Sequence, residues 1–227
     1  MNLAFLIAIL TGLVLFFALF YLFGSLHYQE ANQHRFNPVS YFPYEQFEGD
    51  NDVFLTFARI FAGAFLVAQG LAAVLLLSAE EPNAAMKSFS IIVAIFGGME
   101  MVLLFFLLLL PARYARAHIF VVVFYFCVSV LYGVLGGTLL YGQAVYDAVL
   151  AHTLWIILMV LGFIVLALLI NPRFTNWAKL HAENTSDGSK IVFRPRFFIL
   201  AASEWLVLLI NIVITFVLLL GLYFLHG

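Results

Sequence analysis

Residues 89–110 read FSIIVAIFGGMEMVLLFFLLLL, a run of 22 positions in which Glu100 is the single charged side chain. An α-helix of this length rises about 33 Å, which is enough to cross a hydrocarbon core of about 30 Å. A run this long and this apolar predicts a transmembrane helix rather than a buried helix of a soluble protein.

Five further apolar runs of similar length lie on either side of this one. They cover residues 3–24, 55–77, 119–141, 149–170 and 197–225. The chain is 65% hydrophobic and 10% charged, whereas a soluble domain carries about 25% charged residues. We therefore predict an all-α integral membrane protein with six spans. Because the connections are too short to form a soluble core, residues 1–227 are expected to form a single polytopic membrane domain.

The lengths of the connections predict how the spans pack. Residues 78–88, 111–118 and 142–148 are short connections, which place consecutive helices side by side and antiparallel. Spans two to five are therefore predicted to form a four-helix core, flanked by spans one and six. Gly133, Gly136 and Gly137 in span four are expected to allow close approach of a neighbouring helix.

Two longer loops join the first and sixth spans to this core. The first is rich in aromatic residues, which favour the membrane interface, and Pro38 and Pro43 argue against one continuous helix there. In the second loop, Phe174, Trp177 and Leu180 recur at the spacing of a short interfacial helix. Residues 191–193 follow a turn at 186–189 and are predicted to form a short strand.

The distribution of basic residues predicts the orientation. Of the ten lysines and arginines, nine fall on one side of the six-span topology and Lys87 falls on the other. Because basic residues are enriched in cytoplasmic loops, we expect both termini to lie outside, in a bacterial plasma membrane. The nine residues are Arg35, Arg59, Arg113, Arg116, Arg173, Lys179, Lys190, Arg194 and Arg196.

Several function classes are disfavoured by composition and motifs. A net charge of −2 argues against a nucleic-acid partner. Cys127 is the only cysteine, which excludes disulfides and cysteine-rich metal sites. The chain carries no recognisable catalytic, metal or haem motif. We therefore expect no catalytic residue, metal or cofactor, and we favour a non-enzymatic protein. Its expected partners are the lipid bilayer and either another membrane protein or a second copy of this chain.

Polar side chains inside the spans are the candidates for function, because each is costly in lipid unless it is paired or faces water. From the helix rise, Glu100 lies near the membrane midplane. Arg59 and Glu204 both lie roughly 7–10 Å from the side of the membrane that carries the nine basic residues. Their matched depth and opposite charge predict an ion pair, and the alternative is that Arg59 extends to the membrane interface. Gln69 and Asn211 both lie about 21 Å from that side, and we expect their amides to bond to each other.

Glu100 has no basic residue at its depth in any span, so we expect it to face the bundle interior rather than lipid. One interpretation is structural, with a protonated carboxyl that donates to a carbonyl. The other is functional, with a carboxyl in a wet cavity that binds a proton, a cation or an amine-bearing substrate.

Two functions from different classes remain open at this point. The first is a small transporter or permeation protein, with a polar path past Glu100, Glu204, Asn211 and Gln69. The second is a non-catalytic subunit or scaffold of a larger membrane complex. A solvent-accessible cavity that reaches Glu100 would favour transport, and a dry, fully packed core would favour the scaffold.

Overall fold

The structure, a computed structural model, describes residues 2–78, 83–110, 115–171, 182–184, 190–192 and 197–226. In these residues six α-helices are long and apolar enough to cross a membrane. The predicted all-α integral membrane protein with six spans is confirmed. The helices are α1 (Leu3–Asn32), α2 (Val53–Leu76), α3 (Ala84–Leu109), α4 (Ala115–Gly142), α5 (Ala148–Leu169) and α6 (Ile199–His226).

Polar side chains mark the first turns of four helices. Asn2, Asp52, Asn83 and Asp147 each precede a helix, and each side chain accepts a hydrogen bond from a backbone N–H of the first turn. Such caps satisfy N–H groups that have no partner inside the helix. The caps therefore set where these apolar helices begin.

The sixth helix is central, which corrects its predicted place on the flank of a four-helix core. Helices α1 to α5 pack against one another in chain order, and α6 packs against α1, α2, α4 and α5. In α6, 67% of an 18-residue apolar stretch is buried inside the protein, whereas in α5 the buried share of such a stretch is 22%. The physical reason is the polar stripe of α6, because lipid contact with Glu204 or Asn211 would be costly.

Glycines bring α4 close to its neighbours, as predicted. A Cβ on Gly133 would lie 3.6 Å from the Cα of Gly162 in α5. A Cβ on Gly136 would lie 3.3 Å from Leu218 in α6. Small residues at these positions allow the backbones to approach closely.

Filling one of these contacts should destabilise the fold. Gly137→Leu is expected to lower the free energy of unfolding in detergent by about 1–3 kcal/mol. A Cβ at this position would lie 3.3 Å from the Leu158 Cβ and 3.4 Å from the Trp155 carbonyl oxygen. Gly98→Leu is the matched control, because a Cβ there has no neighbour within 4 Å. Equal losses in the two variants would contradict the proposed close packing.

The loop of residues 33–52, between α1 and α2, folds into the end of the bundle where α2, α4 and α6 begin. We call this end the basic end. A short 3₁₀ helix, Pro43–Phe47, lies in the loop, and Phe42, Tyr44 and Gln46 are buried. Gln46 donates a hydrogen bond to the Ser25 hydroxyl at 3.0 Å. The aromatic residues of this loop therefore contribute to the protein core, in contrast to the predicted interfacial position.

The second long loop contains a short two-stranded antiparallel sheet. Strand β1 (Ala182–Asn184) pairs with β2 (Lys190–Val192), and Ala182 lies opposite Val192. The predicted returning strand is thus present, one residue earlier than expected. The predicted interfacial helix with Phe174, Trp177 and Leu180 lies outside the described residues.

A polar contact ties the 33–52 loop to both adjoining helices. His27 of α1 lies with its Nδ1 2.6 Å from Asp52 Oδ2 and its Nε2 3.0 Å from the Glu48 carbonyl oxygen. Desolvation alone would raise the pKa of Asp52, but the hydrogen bond from the Leu55 N–H and the contact with His27 lower that pKa below its ordinary value of 3.8. The ionised form of Asp52 is therefore the form that the fold favours.

This contact should make stability depend on acid. Because the pKa of Asp52 is lowered on folding, its contribution is complete above about pH 3.8 and is lost as the pH falls through the folded-state pKa. Asp52→Asn, which keeps an N-cap, should be less stable than wild type at neutral pH, and the difference should close in strong acid. Asp50→Asn is the control at a neighbouring exposed carboxylate. A stability difference for Asp52→Asn that persists at low pH would contradict this account.

Candidate functional site, a buried polar column along α6

Three polar residues share one face of α6. Glu204, Asn211 and Thr215 are spaced seven and four residues apart, which places them on one helix face, and all three are buried. Residues from α2, α3 and α4 meet this face. We call the assembly the polar column, and its members are Glu204, Asn211, Thr215, His118, Tyr125, Ser129, Gln69 and Glu100.

A histidine–glutamate pair forms the part of the column nearest the basic end. His118 Nε2 lies 3.0 Å from Glu204 Oε1, and both side chains are fully buried. His118 Nδ1 lies 2.7 Å from the Leu110 carbonyl oxygen. Because a carbonyl only accepts, Nδ1 must carry a proton. The pair then shares one further proton, which makes it either imidazolium with carboxylate or neutral imidazole with carboxylic acid.

The pair replaces the predicted ion pair between Arg59 and Glu204, which does not form although the structure describes both residues. Arg59 is exposed, and its guanidinium donates to Asn51 Oδ1 at 2.9 Å. The neighbouring Ala58 is buried, and successive helix residues point about 100° apart. Arg59 therefore points away from the bundle, and equal depth alone does not bring two side chains together.

The middle of the column is a set of hydrogen bonds between α4 and α6. The Asn211 amide donates to the Tyr125 hydroxyl at 2.9 Å and to Ser129 Oγ at 2.7 Å. Ser129 itself donates to the Tyr125 carbonyl oxygen at 2.8 Å, so its hydroxyl must accept from Asn211. This fixes the orientation of the amide. The Asn211 oxygen therefore points away from these two acceptors.

Gln69 does not form the predicted bond to Asn211, although both residues line the same cavity. Its amide nitrogen instead lies 3.4 Å from Thr215 Oγ1, to which it donates. The carbonyl oxygens of both amides have no hydrogen-bond partner among the described residues. The two residues share one predicted depth, but their amide N–H groups donate to Tyr125, Ser129 and Thr215, which depth alone does not predict.

Glu100 completes a group of oxygen atoms around a small enclosed cavity. The cavity has a volume of about 10 Å³, close to the smallest space that holds one water molecule. Glu100 is 1% exposed, so it faces the interior as predicted. Ser129 lies close to it, and the Ser129 hydroxyl donates its hydrogen bond to the backbone carbonyl oxygen of Tyr125.

Four oxygen atoms at this cavity have no hydrogen-bond partner among the described residues. They are both carboxyl oxygens of Glu100, Oε1 of Gln69 and Oδ1 of Asn211. Buried acceptors without a donor are costly, and a carboxylate is the most costly of them. A proton on Glu100, a water molecule or a small cation at this cavity would reduce that cost.

The basic end of the column is closed by the 33–52 loop. The rings of Phe42 and Tyr44 contact the His118 ring edge-on, with centroids 5.2 and 5.4 Å away. Glu45 is buried and close enough to interact electrostatically with His118 and Glu204. Its carboxylate accepts from the Phe42 N–H at 2.6 Å. This loop separates the buried pair from solvent.

Three of the predicted path residues are thus brought to one cavity, namely Glu100, Gln69 and Asn211. Glu204 lies seven residues before Asn211 in α6, roughly 10 Å along the helix. The wide solvent-accessible cavity expected of a transporter is not seen at Glu100, because the space there is about 10 Å³. By that criterion the core is closer to the packed core expected of a scaffold.

Comparisons with protein-family models, with curated proteins and with solved structures find no match to this chain.

Proposed function

We propose that the protein is a small membrane transporter or permeation protein, in which Glu100 takes up a proton or a small monovalent cation at an occluded site. The observation that carries this proposal is the convergence of four buried acceptor oxygens on one water-sized cavity. In a scaffold, an apolar side chain at this position would be less costly than a buried acid. Intramembrane acids typically mark ion paths.

The chemistry of the oxygen atoms supports this choice of ligand. Carboxylate and amide oxygens are ligands for hard cations, which carry no preference for nitrogen or sulfur. Glu100 supplies one negative charge, and the two amides supply dipoles only. One positive charge, as a proton or a monovalent cation, therefore balances the site, whereas a divalent ion would leave an excess charge in the membrane.

The proposal also gives a role to the pair at the basic end. His118 and Glu204 share one proton and lie between the loop of residues 33–52 and the midplane cavity. They therefore provide a second proton-binding site between this loop and Glu100. Exchange with solvent would require the rings of Phe42 and Tyr44 to move, in the manner of a gate that opens and closes around an occluded site. We place this end in the cytoplasm, because basic residues prefer that side.

The second candidate is a non-catalytic subunit of a larger membrane complex. The closed core favours it, and so does the exposed surface of α5, where Val149, Ile156 and Phe163 are 80%, 54% and 58% exposed. Such a surface fits either lipid or the helices of a partner.

Flux measurements on reconstituted protein separate the two candidates. The purified protein is placed in liposomes, and uptake of protons and of Na⁺ is followed under an imposed membrane potential, with protein-free liposomes as the control. We expect potential-driven uptake of one of these ions. Absence of uptake for both ions, together with a stoichiometric partner that co-purifies from the native membrane, would favour the subunit.

A further inference from the structure

A groove on the lipid-facing surface between α2 and α3 lies apart from the polar column. It has a volume of about 670 Å³ and lies toward the basic end. Leu66, Phe105 and Leu109 form its apolar walls, and Gly63 leaves open space in it. The volume is within the range of about 300–1,000 Å³ that is typical of small-molecule sites.

The rim of this groove carries one charge of each sign. Arg59 and Glu48 both line it and are both exposed. Arg59 is the seventh residue of α2, so its Cα lies roughly 9 Å along the helix axis from the first residue of α2. Its one hydrogen bond in the described residues is to the neutral Asn51, and it forms no salt bridge there. A cation at this depth on a lipid-facing surface is costly in free energy unless an anion contacts it.

We propose that this groove binds a phospholipid whose headgroup carries both a phosphate and an ammonium group. The Arg59 guanidinium binds the phosphate, because its planar donors match phosphate oxygens. Glu48 lies on the same rim and attracts the ammonium group. One acyl chain lies against Leu66 and Phe105, over the open space at Gly63. The charge pattern of the rim selects a headgroup with both signs over a purely anionic one.

Gly63 gives a way to block the groove without disturbing the fold. No atom lies within 4 Å of a Cβ built there, so a leucine fits and occupies the space of the acyl chain. Gly98→Leu on α3 is the matched control, since its Cβ also has no neighbour within 4 Å and Gly98 does not line the groove. Arg35→Gln is the control for loss of an exposed cation outside the groove.

Native mass spectrometry of the delipidated protein tests the assignment. The protein is titrated in detergent with phosphatidylethanolamine and, in parallel, with phosphatidylglycerol. We expect a retained phosphatidylethanolamine adduct, with affinity about tenfold lower in Arg59→Gln and Gly63→Leu, and unchanged in Arg35→Gln and Gly98→Leu. Circular dichroism verifies that each variant is folded.

Two outcomes would overturn the proposal. Equal retention in Arg59→Gln and Arg35→Gln would mean that lipid contacts the groove without recognition. Tighter binding of phosphatidylglycerol than of phosphatidylethanolamine would mean that the rim of the groove does not recognise the ammonium group. Neither outcome depends on ion flux, so this proposal and the proposed function can fail separately.

Discussion

Replacing Glu100 by glutamine is expected to abolish ion uptake and to leave the protein folded. Glutamine has nearly the same shape, and its amide can donate to the acceptors around the cavity, so the packing of α3 against α2 and α4 should be kept. What the substitution removes is the ability to exchange a positive charge. Uptake into liposomes should fall to the protein-free level, while the yield and the unfolding midpoint in detergent stay near the wild-type values.

Two further variants sharpen this prediction. Glu30→Gln removes an exposed carboxylate at the end of α1, away from the polar column, and should leave flux unchanged. Glu100→Asp keeps the acid but draws it back from the cavity by one methylene group, and should retain part of the flux. Wild-type flux in Glu100→Gln would contradict the proposed role and leave Glu100 as a structural residue.

Replacing His118 by alanine is expected to lower the free energy of unfolding by about 3–5 kcal/mol, the largest stability loss that we predict. His118 is the observed partner of Glu204, whose other carboxyl oxygen already has none among the described residues. Without the imidazole, Glu204 is buried alone. The change also removes the surface on which Phe42 and Tyr44 pack.

A double-mutant cycle with Glu204→Leu separates the pair from its surroundings. If the two residues share a proton as described, the His118→Ala and Glu204→Leu losses should not add, because the double variant leaves no lone buried charge. Chemical denaturation of the four proteins in detergent measures this coupling. Additive losses would show that His118 acts through packing alone and would contradict the shared proton.

The six spans were predictable because the bilayer imposes a length and a composition on every helix that crosses it. The contacts of Gly133 and Gly136 were predictable for a related reason, since a residue without a Cβ leaves room for a neighbouring backbone. Both inferences use properties of single segments. They need no knowledge of which helix lies beside which.

The central position of α6 and the partner of Glu204 were not predictable in this way. Depth follows from the helix rise, but the direction of a side chain depends on how the helix is rotated against its neighbours. Apolar residues surround most of each span, so the pattern gives little information on that rotation. Arg59 matched Glu204 in depth and charge, whereas the observed partner, His118, was not among the residues predicted to pair with Glu204.

The loop of residues 33–52 was misplaced for a chemical reason. Aromatic side chains suit both the membrane interface and a protein core, so their density does not distinguish the two. In the structure Trp205 of α6 stacks on Phe20 with ring centroids 6.0 Å apart, and its indole N–H donates to the Tyr41 carbonyl oxygen at 3.0 Å. This contact between the loop and α6 is long-range and leaves no local sequence signal.

Infrared difference spectroscopy of Glu100 tests the central claim most directly, because a protonated carboxyl has a C=O stretching band that a carboxylate lacks. The protein in lipid vesicles is titrated with base and then with Na⁺, and the band of Glu100 is identified by its absence in Glu100→Gln. We predict a band at neutral pH that disappears on addition of base, of Na⁺ or of both, as the proton leaves or is exchanged. A Glu100 band that no pH and no monovalent cation alters would contradict the account, because the carboxyl would then hold its proton permanently.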